Sequence, residues 1–177
     1  IRERIERMTQ DESCALFIID LDNFKTVNDT LGHPVGDEAI RQAAKILSGI
    51  FRANDIVGRL GGDEFAAFMC GEITEESVRE KAEVICEKLQ MTLGGHETVN
   101  VTASVGIHMA EKGQRLDGLY QSADLALYKA KKAGKHQFCL KNRDNIQRGG
   151  MHPANVITLG ALLENMESGV ALLEMGE

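Results

Sequence analysis

Ile56-Val57-Gly58-Arg59-Leu60-Gly61-Gly62-Asp63-Glu64-Phe65-Ala66-Ala67-Phe68-Met69 is the stretch that decides the fold. Two apolar, strand-like runs meet at Gly61-Gly62, and a glycine pair takes the positive φ angles of a tight hairpin without steric cost. An antiparallel hairpin in mid-chain argues against a doubly wound parallel sheet.

Working outward, Cys14-Ala15-Leu16-Phe17-Ile18-Ile19 is a continuous apolar run. It reads as a buried central strand ending at Asp20. A polar loop at 20–25 and a short helical piece at 25–31 follow, stopped by Gly32. Asp37 then opens a helix with Ala39, Ile40, Ala43, Ala44, Leu47 and Ile50 on one face. Beyond the hairpin, Thr74, Ser77 and the acids Glu75 and Glu76 start a helix over 75–92 that Gly94-Gly95 stops. Strict alternation of Val99, Val101, Ala103, Val105 and Ile107 predicts a half-buried strand over 98–109. A helix over 116–133 ends at Gly134, and a last strand runs over 136–140. Residues 1–13 read as the end of an incoming helix. The sum is an α/β (α+β) sandwich: a central mixed, largely antiparallel sheet flanked by helices.

The 177 residues carry 20 basic and 27 acidic side chains, a net charge of −7, which excludes a basic nucleic-acid footprint. A phosphate-bearing ligand therefore needs a few placed cations or a metal. No apolar run of membrane-spanning length occurs, and the expected location is cytoplasmic. Cys14, Cys70, Cys86 and Cys139 form no C-x-x-C and are expected as buried free thiols, with neither disulfide frame nor zinc site. The start at Ile1, without Met or signal core, suggests a piece of a longer protein.

Two acidic clusters carry the chemistry. Asp20 and Asp22 follow the buried strand; Asp63 and Glu64 sit at the hairpin tip. If those strands are neighbours, four carboxylates converge at one edge, where like charges repel unless a divalent cation joins them. Oxygen-only ligands point to Mg²⁺ or Mn²⁺. The plain alternative is a pair of solvated turns. Gly61-Gly62 favours the ligand reading, because a turn without side chains admits a bulky nucleotide. No Walker or dinucleotide-binding glycine loop competes. The phosphate cradle is then the loop from Asp20 to Lys25, with Lys25, Lys131 and Lys135 as candidate cations.

Together, Asp20-Leu21-Asp22-Asn23-Phe24-Lys25-Thr26-Val27-Asn28-Asp29, Gly32-His33, Gly36-Asp37, Arg59-Leu60-Gly61-Gly62-Asp63-Glu64-Phe65, Tyr128-Lys129-Ala130-Lys131 and Gly134-Lys135 resemble a GGDEF domain, a diguanylate cyclase. The resemblance implies a nucleotidyl-cyclase-like fold over residues 1–140. It implies that Asp20, the Leu21 carbonyl and Asp63 bind two divalent ions per half-site, and that Asp63 and Glu64 act on the ribose 3′-hydroxyl. Asn28 and Asp37 would read guanine. Phe24, Lys25, Gly61, Gly62, Lys131 and Lys135 would complete the GTP site, with Lys135 standing where the family often has Arg. The implied reaction joins two GTP into cyclic di-GMP across a homodimer axis and releases two pyrophosphates. Arg52-Ala53-Asn54-Asp55 is similar to the family's R-x-x-D inhibitory motif, so Arg52 and Asp55 would bind the product. A catalytically weak GTP- or cyclic di-GMP-sensing domain is the alternative; intact Asp20, Asp63 and Glu64 favour the enzyme. Residues 141–154 read as a linker and 155–177 resemble the opening of a PAS domain, consistent with attached sensor domains.

Overall fold

The structure, a computed structural model, describes residues 12–110 and 116–141 together with Thr9 and Gln114. The incoming segment at 1–8, the linker beyond Lys141 and the tail at 155–177 lie outside the described residues.

Ten elements follow in chain order: β1 Cys14–Asp22, α1 Phe24–Leu31, α2 His33–Ile50, β2 Ile56–Gly61, β3 Glu64–Cys70, α3 Glu75–Lys88, β4 Met91–Gly94, β5 Thr98–Ala110, α4 Leu116–Lys132 and β6 Phe138–Lys141. The six strands form one sheet in the order β2-β3-β1-β5-β4, with β6 pairing β5. All pairings are antiparallel except β5–β6, so the sheet is mixed as expected.

β1 is central and buried along its whole length. Its period-2 alternation serves two cores at once. Ala15, Phe17, Ile19 and Leu21 join a cluster with Ala39, Ala43 and Leu47 of α2 and Val78, Ala82 and Ile85 of α3. Cys14, Leu16 and Ile18 join Leu119, Ala123 and Leu127 of α4 on the opposite face. That second layer is thin at one point. A Cβ on Gly106 of β5 would collide with the Ala123 carbonyl and the Leu127 amide, so helix and strand backbones meet where no side chain fits.

Three expectations change. α2 begins at His33 rather than Asp37, because Gly32 precedes it and Pro34, with its preset φ, suits the first turn. The helix expected over 75–92 ends at Lys88, and Met91–Gly94 forms a strand with Met91 and Leu93 buried against β5. Gly94-Gly95 thus belongs to a turn between strands, where Gly94 holds φ 105° and a Cβ would strike the Glu97 carbonyl.

The third correction concerns the thiols. Cys14 and Cys70 face each other in the β1–β3 ladder with Cα atoms 4.2 Å apart and are joined as a disulfide. Directly opposed antiparallel residues approach this closely, a pairing that a gap of 56 residues conceals. Cys86 and Cys139 remain free thiols. Burial, then the charge of Asp22, pushes the Cys86 thiol up to about 11, so it is inert at neutral pH.

Candidate active site

The site forms where the carboxyl end of β1 meets the start of β3. The ladder pairs Asp20 directly with Glu64, and beyond its last pair the Leu21 amide donates to the Asp63 carbonyl at 3.2 Å. This extra bond ties the hairpin tip to β1. Gly61 and Gly62 take φ angles of 150° and 54°, as the glycine-pair reading requires. No atom lies within 4 Å of a Cβ built on either, so the tip is open on its outer side.

A cavity of about 270 Å³ opens there, lined by Asp20, Leu21, Asp22, Asn23, Phe24, Lys25, Thr26, Asp63, Lys131 and Lys135. Its floor is the turn from β1 into α1. Asn23, the residue preceding α1, takes a left-handed φ of 65° and gives the helix no side-chain cap. The first α1 amide bonded within the helix is that of Val27, to the Asn23 carbonyl at 3.2 Å. The three residues before it, Phe24, Lys25 and Thr26, line the cavity, so the start of α1 borders it, a position suited to phosphate oxygens.

Its charges are balanced inside the protein. Lys131 Nζ lies 2.6 Å from Asp20 Oδ2, and Lys135 Nζ donates to Asn23 Oδ1 at 3.1 Å. Desolvation raises the Asp20 carboxyl above its ordinary value; Lys131 opposes the shift, while Asp63 and Asp22 add to it. Desolvation also raises Glu64, with repulsion from Asp20 next. Carboxylates crowded and desolvated in this way fit a hard divalent cation. Among the described residues, no group of three or more His, Cys, Asp or Glu is placed to hold a metal ion.

Residues 1–137 match the family described as diguanylate cyclase, GGDEF domain. The chain belongs to that family. It is 42% identical over 130 residues to the probable diguanylate cyclase DgcC of Escherichia coli, covering 72% of this chain and 34% of that protein. It is 35% identical over 128 residues to the response regulator PleD of Caulobacter vibrioides, covering 67% of this chain and 27% of that protein. The chain thus spans about a third of the length of the curated relatives it matches. The GGDEF domain of YfiN (TpbB) from Pseudomonas aeruginosa superposes with a TM-score of 0.71 at 30% identity, covering 80% of this chain and 92% of that one. The GGDEF domain of DgcB from Caulobacter crescentus, solved with c-di-GMP, gives 0.67 at 25% identity, covering 78% and 85%. No helix among the described residues of this GGDEF domain is long and apolar enough to cross a membrane.

Within the GGDEF domain the remaining expected residues fall into two further places. Asn28 of α1 lies against Gly36 of α2, where a Cβ would collide with Asn28 Oδ1 and stand 3.3 Å from Phe24 Cζ. Gly36 thereby lets α1 approach α2, setting Asn28 against the residue that precedes Asp37. Arg52 and Asp55 form a turn of their own before β2. The Arg52 amide donates to Asp55 Oδ2 at 2.9 Å, the Asp55 amide donates to the Arg52 carbonyl at 2.9 Å, and the Arg52 residue is exposed. β2 separates this turn from the hairpin tip by roughly 17 Å at strand rise.

One of the four expected carboxylates stands apart. Asp22 is 2% exposed and bonds protein donors: Ser104 Oγ at 2.8 Å, Thr102 Oγ1 at 2.8 Å and the His136 amide at 3.1 Å. Two residues outside the expected set also shape the site. Arg59 donates from Nε and Nη2 to the Gly62 carbonyl at 2.9 and 2.7 Å, closing the hairpin from within. Asn23 anchors the cavity floor to β5 through the Asn100 carbonyl at 3.2 Å. An Arg two residues before a glycine pair is a sequence signal for the first. The second follows only from three-dimensional proximity.

Proposed function

We propose that this GGDEF domain condenses two GTP into cyclic di-GMP, each half-reaction completed by a second copy facing it across a two-fold axis. The observation that carries the reading is the Asp20–Glu64 pairing with Asp63 beside it, at the mouth of a cavity whose other wall is Lys131, Lys135 and the start of α1.

In each half-reaction the ribose 3′-oxygen of one GTP forms a bond to the α-phosphorus of the other. The α–β bridging bond breaks and pyrophosphate leaves. Glu64 and Asp63 receive or orient the 3′-hydroxyl proton, and burial raises the proton affinity of Glu64, as a base working near neutrality needs. Lys131, Lys135 and the α1 amides neutralise the polyphosphate and hold it in line. Asp20, Asp63 and the Leu21 carbonyl would hold divalent ions, which supply charge neutralisation at the phosphoryl oxygens. Asn28 and Asp37 recognise guanine, since a carboxylate accepts from N1–H and the exocyclic amine while adenine offers a mismatched edge. One domain holds one nucleotide, so product requires the dimer.

The Arg52–Asp55 turn supports a second assignment, product inhibition. The exposed Arg52 guanidinium suits a phosphate or guanine face, and relative DgcB was solved with c-di-GMP. The test of the main reading is direct. The artificially dimerised chain is incubated with GTP and Mg²⁺ and the products separated by chromatography. Cyclic di-GMP from wild type, lost in Asp63→Asn, is expected; GTP binding without product rejects the reading.

A further inference from the structure

Asp22 lines the cavity and accepts three hydrogen bonds from the protein. Oδ1 accepts from Ser104 Oγ; Oδ2 accepts from Thr102 Oγ1 and from the His136 amide. Three chain segments converge on this one carboxyl group: β1 itself, β5, and the turn between α4 and β6.

That turn is unusual. Gly134, Lys135 and His136 are consecutive residues with φ of 125°, 64° and 47°. Left-handed backbone is disfavoured at a non-glycine residue, so two in succession persist only where the surroundings hold them. The Lys135 amide returns to the Ala130 carbonyl at 3.2 Å, and the His136 amide goes to Asp22. The result aims Lys135 Nζ back across the cavity to Asn23 Oδ1.

We propose that Asp22 is a positioning residue: it holds the strained α4–β6 turn so that Lys135 meets the nucleotide phosphates, and it is not itself a metal ligand. The assignment rests on the GTP-site reading above. Asp22→Asn is the sharp perturbation, because an amide keeps the shape but presents N–H to donors that need an acceptor.

Two measurements on the whole chain separate this role from others. The first is calorimetric binding of a non-hydrolysable GTP analogue at saturating Mg²⁺, for wild type, Asp22→Asn, Lys135→Ala and the double variant. Asp22→Asn is expected to weaken binding about tenfold, and to add less than about twofold once Lys135 is gone. The second is the Mg²⁺ concentration giving half-maximal analogue binding, expected to stay within twofold of wild type in Asp22→Asn. Full additivity with Lys135→Ala overturns the proposal. So does a Mg²⁺ requirement raised tenfold, which would make Asp22 a ligand. Should Asp22→Asn fail to fold, Thr102→Val and Ser104→Ala each remove one donor and are read by the same cycle, with the same overturning result. Because binding and not turnover is read, absence of cyclic di-GMP from wild type would reject the cyclase reading and leave this one standing.

Discussion

The same substitution, Gly to Ala, is expected to have opposite signs at two positions of this domain. Gly106 lies mid-strand in β5, opposite Ile18 of β1 and Cys139 of β6. A Cβ there would stand 2.6 Å from Leu127 Cα and closer still to the Leu127 amide and Ala123 carbonyl. Relaxed carbon contacts need about 3.5–4.0 Å. Backbone atoms have no rotamer through which to escape, so α4 must move out by on the order of 1 Å. Overpacking of this kind costs about 1–3 kcal/mol, and with backbone on both sides we expect the upper end. That corresponds to a melting temperature lower by about 10 °C. Gly49, exposed near the end of α2, has nothing within 4 Å of its would-be Cβ. Alanine there gains about 0.5–1 kcal/mol from helix propensity, or about 2–3 °C. Urea unfolding of the two variants provides the assay, read at the midpoint with unchanged slope. Gly106→Ala should also weaken GTP binding, because α4 carries Lys131, whose Nζ lies 2.6 Å from Asp20. A neutral or stabilising Gly106→Ala, or shifts of the same sign in both variants, would refute the close-packing argument.

Glu64→Gln should lower turnover by about 10²-fold or more while raising the melting temperature at neutral pH. The sign follows from burial: a carboxyl raised above its ordinary 4.5 binds its proton more tightly folded than unfolded, so stability falls as pH rises through that window, and glutamine removes the fall. Circular dichroism melts across pH 4–7 check it, and an unchanged pH dependence rejects it. Asp37→Ala should weaken GTP by about 10- to 100-fold with little change in Mg²⁺ requirement, measured by titration; equal loss for both contradicts the guanine role. Arg52→Ala should leave initial rates intact and abolish inhibition by added cyclic di-GMP; persistent inhibition removes that assignment. Reduction of Cys14–Cys70, which spans 56 residues, relieves a constraint worth about 4 kcal/mol in the chain-entropy account, so reductant should lower the melting temperature. Cys14→Ala with Cys70→Ala should reproduce most of that drop, and a melt indifferent to reductant argues against the bond.

Much of the fold was legible because its signals are local. The Gly61-Gly62 turn, the unbroken apolar run of β1 and the alternation in β5 each speak within a dozen residues. β4 was missed because four residues after a helix are too few to show a period, and Leu93 also continues the helical stripe at four residues from Leu89. The disulfide and the diversion of Asp22 were hidden for a different reason. Each depends on which strands are neighbours and in what register, and sequence spacing carries neither. Gly106 was within reach, since an interior strand glycine commonly marks close backbone approach. In the site, residue types pointed to the chemistry, but only the Asp20–Glu64 register shows that separated acids meet.

The Lys131–Asp20 ion pair has a consequence for how a ligand first arrives. A chain of net charge −7 ought to repel a triphosphate, and a bare pocket of acids would do so most strongly where entry matters. With Lys131 resting on Asp20, the acidic pocket carries its own counter-ion, which lowers the barrier to an incoming anion. On the proposed cyclase reading, the ammonium would then have only to change partners, from carboxylate to phosphate, leaving Asp20 able to hold a divalent ion.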